Sequence, residues 1–158
     1  MSLKQQVQQT LQNWPPFTGA ARLLAAQEGG ITLQCRITAL DRLACAFESF
    51  EMHHPALVGA SLEGLKQAAE RLAARLTYLL EPIRILEADA VQCVVQLRSS
   101  PPDREAEAAA YYELLLNANG TLSLTRYIKQ PDAPRQAVPA HVTHEVLLKL
   151  TSDFAAVA

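Results

Sequence analysis

Two histidines, His141 and His144, are separated by two residues, a spacing found for metal ligands that share one helical turn. Thr143 is predicted to be the N-cap of the last helix, which leaves His141 before the helix begins. Zinc sites use three or four protein ligands, and no third ligand is suggested nearby. We therefore predict an exposed, unligated pair, with no metal and no cofactor.

A second pair, His53 and His54, follows a predicted strand and precedes a loop. A catalytic role would need an activated partner, and the candidate is Cys45 as nucleophile with His53 as base. Cys45 shares an apolar strand face with Phe47, however, and burial there disfavours the thiolate. The sequence shows no nucleophile elbow and no phosphate-binding glycine loop. We therefore assign no catalytic residue.

Charge and cysteine content restrict the function further. The net charge is −2, from 14 basic and 16 acidic residues, whereas nucleic-acid-binding proteins usually carry a basic excess. The three cysteines are an odd number without paired spacing, which favours a reducing cytoplasmic setting. No signal peptide is recognised, and no apolar run approaches the 18 residues or so that a membrane span needs. We expect no nucleic acid and no membrane among the partners.

The element that positions these residues is a long central helix, predicted from Ser61 to Leu80. Its apolar residues are Leu62, Leu65, Ala69, Leu72, Leu76 and Leu79. Steps of three and four residues place them in one stripe along the helix. Because strand-like segments lie on both sides of this helix in sequence, a β-sheet is the predicted partner of the stripe.

The chain before this helix is predicted to form a helix over residues 2–13, stopped by Pro15, and three strands. The strands cover residues 21–27, residues 31–38 and a segment that starts at Leu43. Alternation of apolar and polar residues predicts the register of the last two strands. The predicted pairs are Ile37 with Leu43, Cys35 with Cys45 and Leu33 with Phe47. The two cysteines are expected to remain thiols.

Beyond the central helix, residues 83–87 and 91–98 are predicted strands, and residues 99–109 a mobile connector. A hairpin follows at residues 110–117 and 121–128. A two-residue turn would pair Glu113 with Arg126, but it mixes apolar and polar side chains on both faces. A three-residue loop that ends at Gly120 gathers the apolar residues on one face, and we choose this register because burial outweighs one surface ion pair.

A proline-rich loop over residues 129–140 leads to a last helix near residues 144–155. The predicted fold is a single α+β domain over residues 1–158. An antiparallel sheet of about five to seven strands packs against the long central helix, with N- and C-terminal helices. The element order is similar to that of the small acidic chaperones of type III secretion. That resemblance implies an adaptor-like or chaperone-like protein and assigns no residue a role.

One part of the third strand departs from simple alternation. After Phe47, both Phe50 and Met52 fall on the face opposite the predicted core. Either a β-bulge near Glu48 and Ser49 or an internal covering element buries them, or they form a surface for a partner.

The leading functional hypothesis is a non-enzymatic protein-interaction module, in which a protein partner or a second copy covers Phe50, Met52, His53 and His54. The alternative is a small-ligand-binding protein or enzyme with a pocket near His53 and His54. Its motive is two imidazoles that titrate near neutral pH beside a glycine-containing loop.

Overall fold

The computed structural model describes residues 1–100 and 109–158, in which runs of strands lie between three helices. The helices are α1 (Leu3–Asn13), α2 (Leu62–Arg75) and α3 (His144–Ala155). The strands are β1 (Phe17–Glu28), β2 (Ile31–Leu40), β3 (Ala44–His53), β4 (Ile83–Asp89), β5 (Val94–Ser99), β6 (Ala109–Asn117), β7 (Thr121–Lys129), β8 (Gln136–Val138) and β9 (Ala140–Thr143). The connector predicted over residues 99–109 lies mostly outside the described residues.

All nine of these strands belong to one antiparallel sheet, with the main order β1-β2-β3-β7-β6-β5-β4. The α+β class with an antiparallel sheet is confirmed, but the predicted five to seven strands are too few. The additional strands, β8 and β9, are three and four residues long. Such short segments carry too little alternation to be recognised in a proline-rich stretch.

The short strands β8 and β9 fill a fork in the sheet. Strand β3 pairs with β7 over Phe50–His53 and with β9 over Ala44–Phe47. Strand β8 pairs with β7 over Arg126–Ile128. The two long strands therefore diverge, and the segment between them pairs with each in turn. Pro139 separates the two short strands, where its missing N–H breaks the ladder.

The predicted register between β2 and β3 is wrong, because the turn between the two strands lies further along the chain than predicted. The observed pairs are Ile37 with Phe47, Cys35 with Phe50 and Leu33 with Met52. Strand pairing continues to Leu40 and Cys45, and in the turn Asp41 Oδ1 accepts hydrogen bonds from the Leu43 and Ala44 N–H groups, each at 2.8 Å. The prediction also omits a β-bulge: between Phe47 and Ser49 the register shifts, so that Glu48 is an extra residue on β3.

The bulge returns Phe50 and Met52 to the core, where both are 0 % exposed. They occupy the centres of two apolar rows that cross seven strands. One row is Leu24, Cys35, Phe50, Leu124, Leu114, Leu97 and Ile85, and the other is Ala26, Leu33, Met52, Leu122, Leu116, Val95 and Ala88. Of the explanations that the sequence left open for Phe50 and Met52, the structure therefore shows the bulge.

The central helix packs its predicted stripe on these rows. Ser61 caps α2 by accepting a hydrogen bond from the Gly64 N–H at 3.0 Å. Leu65, Ala69, Leu72, Leu76 and Leu79 are buried in the common core, and Leu62 is partly buried. The α-helix is shorter than predicted, because it tightens to a 3-10 turn over Leu76–Leu79. The next residue, Leu80, has a left-handed backbone conformation with φ 63°.

The terminal helices complete the cover of the same face. Ser2 and Gln5 form the capping box that starts α1, and Thr143 caps α3 as predicted. On α3, Phe154 contacts Phe50 edge-on, with ring centroids 5.0 Å apart. With helices on one face, the other face of the sheet lacks helical cover among the described elements; we call it the open face.

The β6–β7 hairpin adopts the register chosen from the sequence. Leu116 pairs with Leu122 and Leu114 with Leu124, which leaves a three-residue loop, Ala118 to Gly120. Gly120 has φ 102°, a conformation that disfavours any residue with a Cβ. Glu113 therefore lies opposite Thr125, and Arg126 lies on the other face of the sheet.

Candidate functional site

The structure places His53 and His54 in different environments. His53 is exposed on the open face, and its ring lies against Gly120, where an added Cβ would come within 2.5 Å of Nε2. His54 is 7 % exposed, and both of its ring nitrogens are engaged. Nδ1 accepts a hydrogen bond from the Ala56 N–H at 3.1 Å, so Nε2 donates to the Ala155 carbonyl at 2.9 Å. His54 therefore joins its loop to the end of α3.

We expect His54→Ala to lower the free energy of unfolding by about 2 kcal/mol, because it leaves a carbonyl and an N–H without their buried partner. The matched control is His53→Ala on the exposed neighbour, which should change stability by less than about 0.5 kcal/mol. Urea denaturation measures both. Equal losses in the two variants would contradict the joining role of His54.

The cysteines are free thiols, and two of them lie in the core. Burial raises the pKa of Cys45 to about 12 and that of Cys35 well above its usual range. A thiol with such a pKa is almost fully protonated at neutral pH and is a poor nucleophile. The geometry therefore gives no support to Cys45 as a nucleophile with His53 as base.

His141 and His144 belong to different elements. His141 is exposed on β9, and His144 is the first residue of α3. The expectation that both are exposed is wrong for His144, which is half-buried and whose Nε2 has no hydrogen-bond partner in the part of the chain that the structure describes. Within residues 1–100 and 109–158, no three His, Cys, Asp or Glu side chains are grouped closely enough to hold a metal ion.

His144 lines an open cleft of about 490 Å³, which we call the Trp14 cleft. The last turn of α1 lines it together with Trp14, Pro15 and Pro16, and further along the chain Asp41, Arg42 and His144 line it as well. Two backbone N–H groups, from Leu43 and Ala44, lower the pKa of Asp41, so its carboxylate is charged at neutral pH. Sequence patterns did not predict this cleft, because its residues come from three distant segments.

A second candidate site lies on the open face, where arginines lie on both sides of two neighbouring tyrosines. This arginine–tyrosine ladder consists of Arg84, Arg98, Tyr111, Tyr127 and Arg135. Arg84 and Arg98 are direct partners on β4 and β5. The Arg98 guanidinium lies 4.4 Å from the centre of the Tyr111 ring, and that of Arg135 lies 3.9 Å from Tyr127. The two tyrosine rings are 6.0 Å apart.

Glu113 lies beneath the ladder and is only 4 % exposed. Its Oε2 accepts hydrogen bonds from Arg135 Nη1 and, at 3.0 Å, from Gln96 Nε2. Glu113 is also the cross-strand partner of Arg98, but its single negative charge cannot balance the three arginines of the ladder. No salt bridge is found for Arg84 or Arg98 within the described residues, and Arg98 Nε is buried without a hydrogen-bond partner.

The ladder is suited to binding an anionic group. Like charges directly opposite each other on an antiparallel pair are destabilising, and an anion between them removes that cost. Arginine and tyrosine are also the residues most often found at the energetic centres of protein interfaces. The alternation of apolar and polar residues places Arg98 and Glu113 on the polar faces of their strands. The sequence did not predict that β5 pairs with β6, and this pairing is what brings the two side chains together.

None of the helices in the described part of the chain is long and apolar enough to span a membrane. Comparison of the chain with protein-family models, curated proteins and solved structures finds no match. The likeness to type III secretion chaperones therefore remains one of predicted element order.

Proposed function

We propose that this protein is a non-enzymatic interaction module whose arginine–tyrosine ladder binds an acidic segment of a partner protein. The observation that carries the proposal is the side-by-side pair Arg84 and Arg98 on the open face, where, among residues 1–100 and 109–158, no helix covers the sheet and Arg98 Nε has no hydrogen-bond partner. Three arginines and one carboxylate give the ladder and Glu113 together a charge of +2. Carboxylates of a partner complement that charge, and extended acidic segments fit an open sheet face.

A protein partner is favoured over nucleic acid because the whole chain is slightly acidic, with a sequence pI of about 6.1. A polyanion such as DNA would meet repulsion outside the ladder, whereas a short acidic segment contacts the ladder alone. We no longer propose that a partner binds through Phe50 and Met52, because both side chains lie in the core. We place the protein in the cytoplasm on the basis of its free cysteines.

A fluorescein-labelled decaglutamate peptide tests the proposal by fluorescence anisotropy. We expect saturable binding that weakens as salt is raised, since exposed charges are screened within about 8 Å at 0.15 M salt. Replacing both arginines, Arg84→Gln and Arg98→Gln, should raise Kd at least tenfold, or about 1.4 kcal/mol. The melting temperature of the double variant is measured alongside to show that it is folded.

The matched control is Arg36→Gln, an arginine on the same open face that already forms an exposed ion pair with Glu48 at 3.3 Å. This variant should bind the peptide as the parent protein does. An equal loss of binding in the control, or no binding by the parent protein, would refute the ladder as the site. Tighter binding of a ten-residue thymidine oligonucleotide than of the peptide would refute the assignment of a protein partner.

A further inference from the structure

The Trp14 cleft shares no residue with the ladder, and its lining carries charges of both signs. The last turn of α1 contributes Leu11, Gln12 and Asn13 to one side of the cleft. A helix ends with carbonyl groups that lack partners within it and carry partial negative charge. The ionised Asp41 adds a full negative charge to the same cleft.

The positive group is Arg42. It is exposed and forms no salt bridge within the described residues. His144, which also lines the cleft, stands at the amino end of α3, the positive end of the helix dipole. The cleft therefore offers a cation for a negatively charged group of a ligand.

An apolar wall completes the cleft. Trp14, Pro15 and Pro16 line it, and the Arg22 guanidinium lies 4.3 Å from the centre of the Trp14 ring. This stacking holds the indole in place from the side of β1. A volume of about 490 Å³ lies within the range of sites that bind small molecules.

We propose that the Trp14 cleft binds a free α-amino acid with an apolar side chain. The ammonium group would interact with Asp41 and the α1 carbonyls, and the carboxylate with Arg42. The side chain would lie against Trp14 and the two prolines. A simple anion or a simple amine would use only one of the two charged sets, whereas an α-amino acid carries both charges within a few ångströms.

The emission of Trp14 reports on the cleft directly, because it is the only tryptophan in the chain. The full chain is titrated with L-leucine, L-valine, L-methionine and L-phenylalanine, each to 10 mM. We expect a saturable change with at least one of them. For the best ligand, the amine that lacks the carboxylate and the acid that lacks the amino group should each bind at least tenfold more weakly. No change with any of the four, or equal binding of a truncated compound, would overturn the proposal.

Two variants test the opposite charges separately. Arg42→Gln removes the cation, and Asp41→Asn removes the anion while keeping the oxygen that accepts the Leu43 and Ala44 hydrogen bonds. Each should raise the Kd for the best amino acid at least tenfold, whereas Arg36→Gln on the open face should leave it unchanged. Unchanged affinity in either cleft variant would overturn the proposal. None of these results depends on whether the ladder binds acidic peptides.

Discussion

Leu72→Asp is expected to unfold the protein or to cost at least about 4 kcal/mol of stability. Leu72 is 1 % exposed, in the middle of the stripe by which α2 packs on the sheet. The substitution removes apolar contacts and places a carboxylate where the structure offers no charged partner. Since domains of this size are stable by only about 5–15 kcal/mol, the loss should be visible as a large fall in the urea midpoint.

The matched control for this change is Ala74→Asp, two residues along the same helix but exposed to solvent. It introduces the same side chain and should cost less than about 1 kcal/mol, mainly through helix propensity. If the two variants lost equal stability, the packing of α2 on the sheet would be wrong.

Phe50→Ala should lower the free energy of unfolding by about 3–5 kcal/mol, the usual cost of truncating a buried phenylalanine. Phe50 contacts Phe154 of α3 and Phe47 of its own strand, with ring centroids 5.0 Å and 6.1 Å apart. The cavity left by the substitution would therefore loosen α3 as well as β3. Calorimetric melting of the parent and variant proteins measures the effect.

The neighbouring residue provides the control for Phe50. Glu51 is exposed on the open face, and Glu51→Ala should change stability by less than about 0.5 kcal/mol. A Phe50→Ala variant that melted like the parent protein, but lost a binding partner, would restore the partner surface that the sequence suggested at this position.

Local patterns in the sequence predicted the parts of the fold that depend on neighbouring residues. The Ser61 cap, the leucine stripe of α2 and the three-residue hairpin loop all follow from spacing within about 20 residues. The β2–β3 register could not be obtained in this way. One extra residue, Glu48, reverses the face of the sheet on which each later residue of β3 lies. The position of this bulge depends on where β9 and β7 pair with β3.

The candidate sites could not be predicted from the sequence for a similar reason. Arg84, Arg98 and Tyr127 lie on three strands, and only the order of those strands in the sheet makes them neighbours. The sequence instead directed attention to His53 and His54, because adjacent histidines are conspicuous. His54 proves to be engaged with the backbone at both ring nitrogens, a role that only the position of α3 reveals.

Chemical-shift mapping of the decaglutamate peptide on the ¹⁵N-labelled protein tests most directly the claim that the open face is the binding surface. We expect the amide signals of Arg84, Arg98, Tyr111 and Tyr127 to shift together as peptide is added and those of α2 to stay in place. Shifts concentrated on α2 or on β1, with the ladder unperturbed, would contradict that claim.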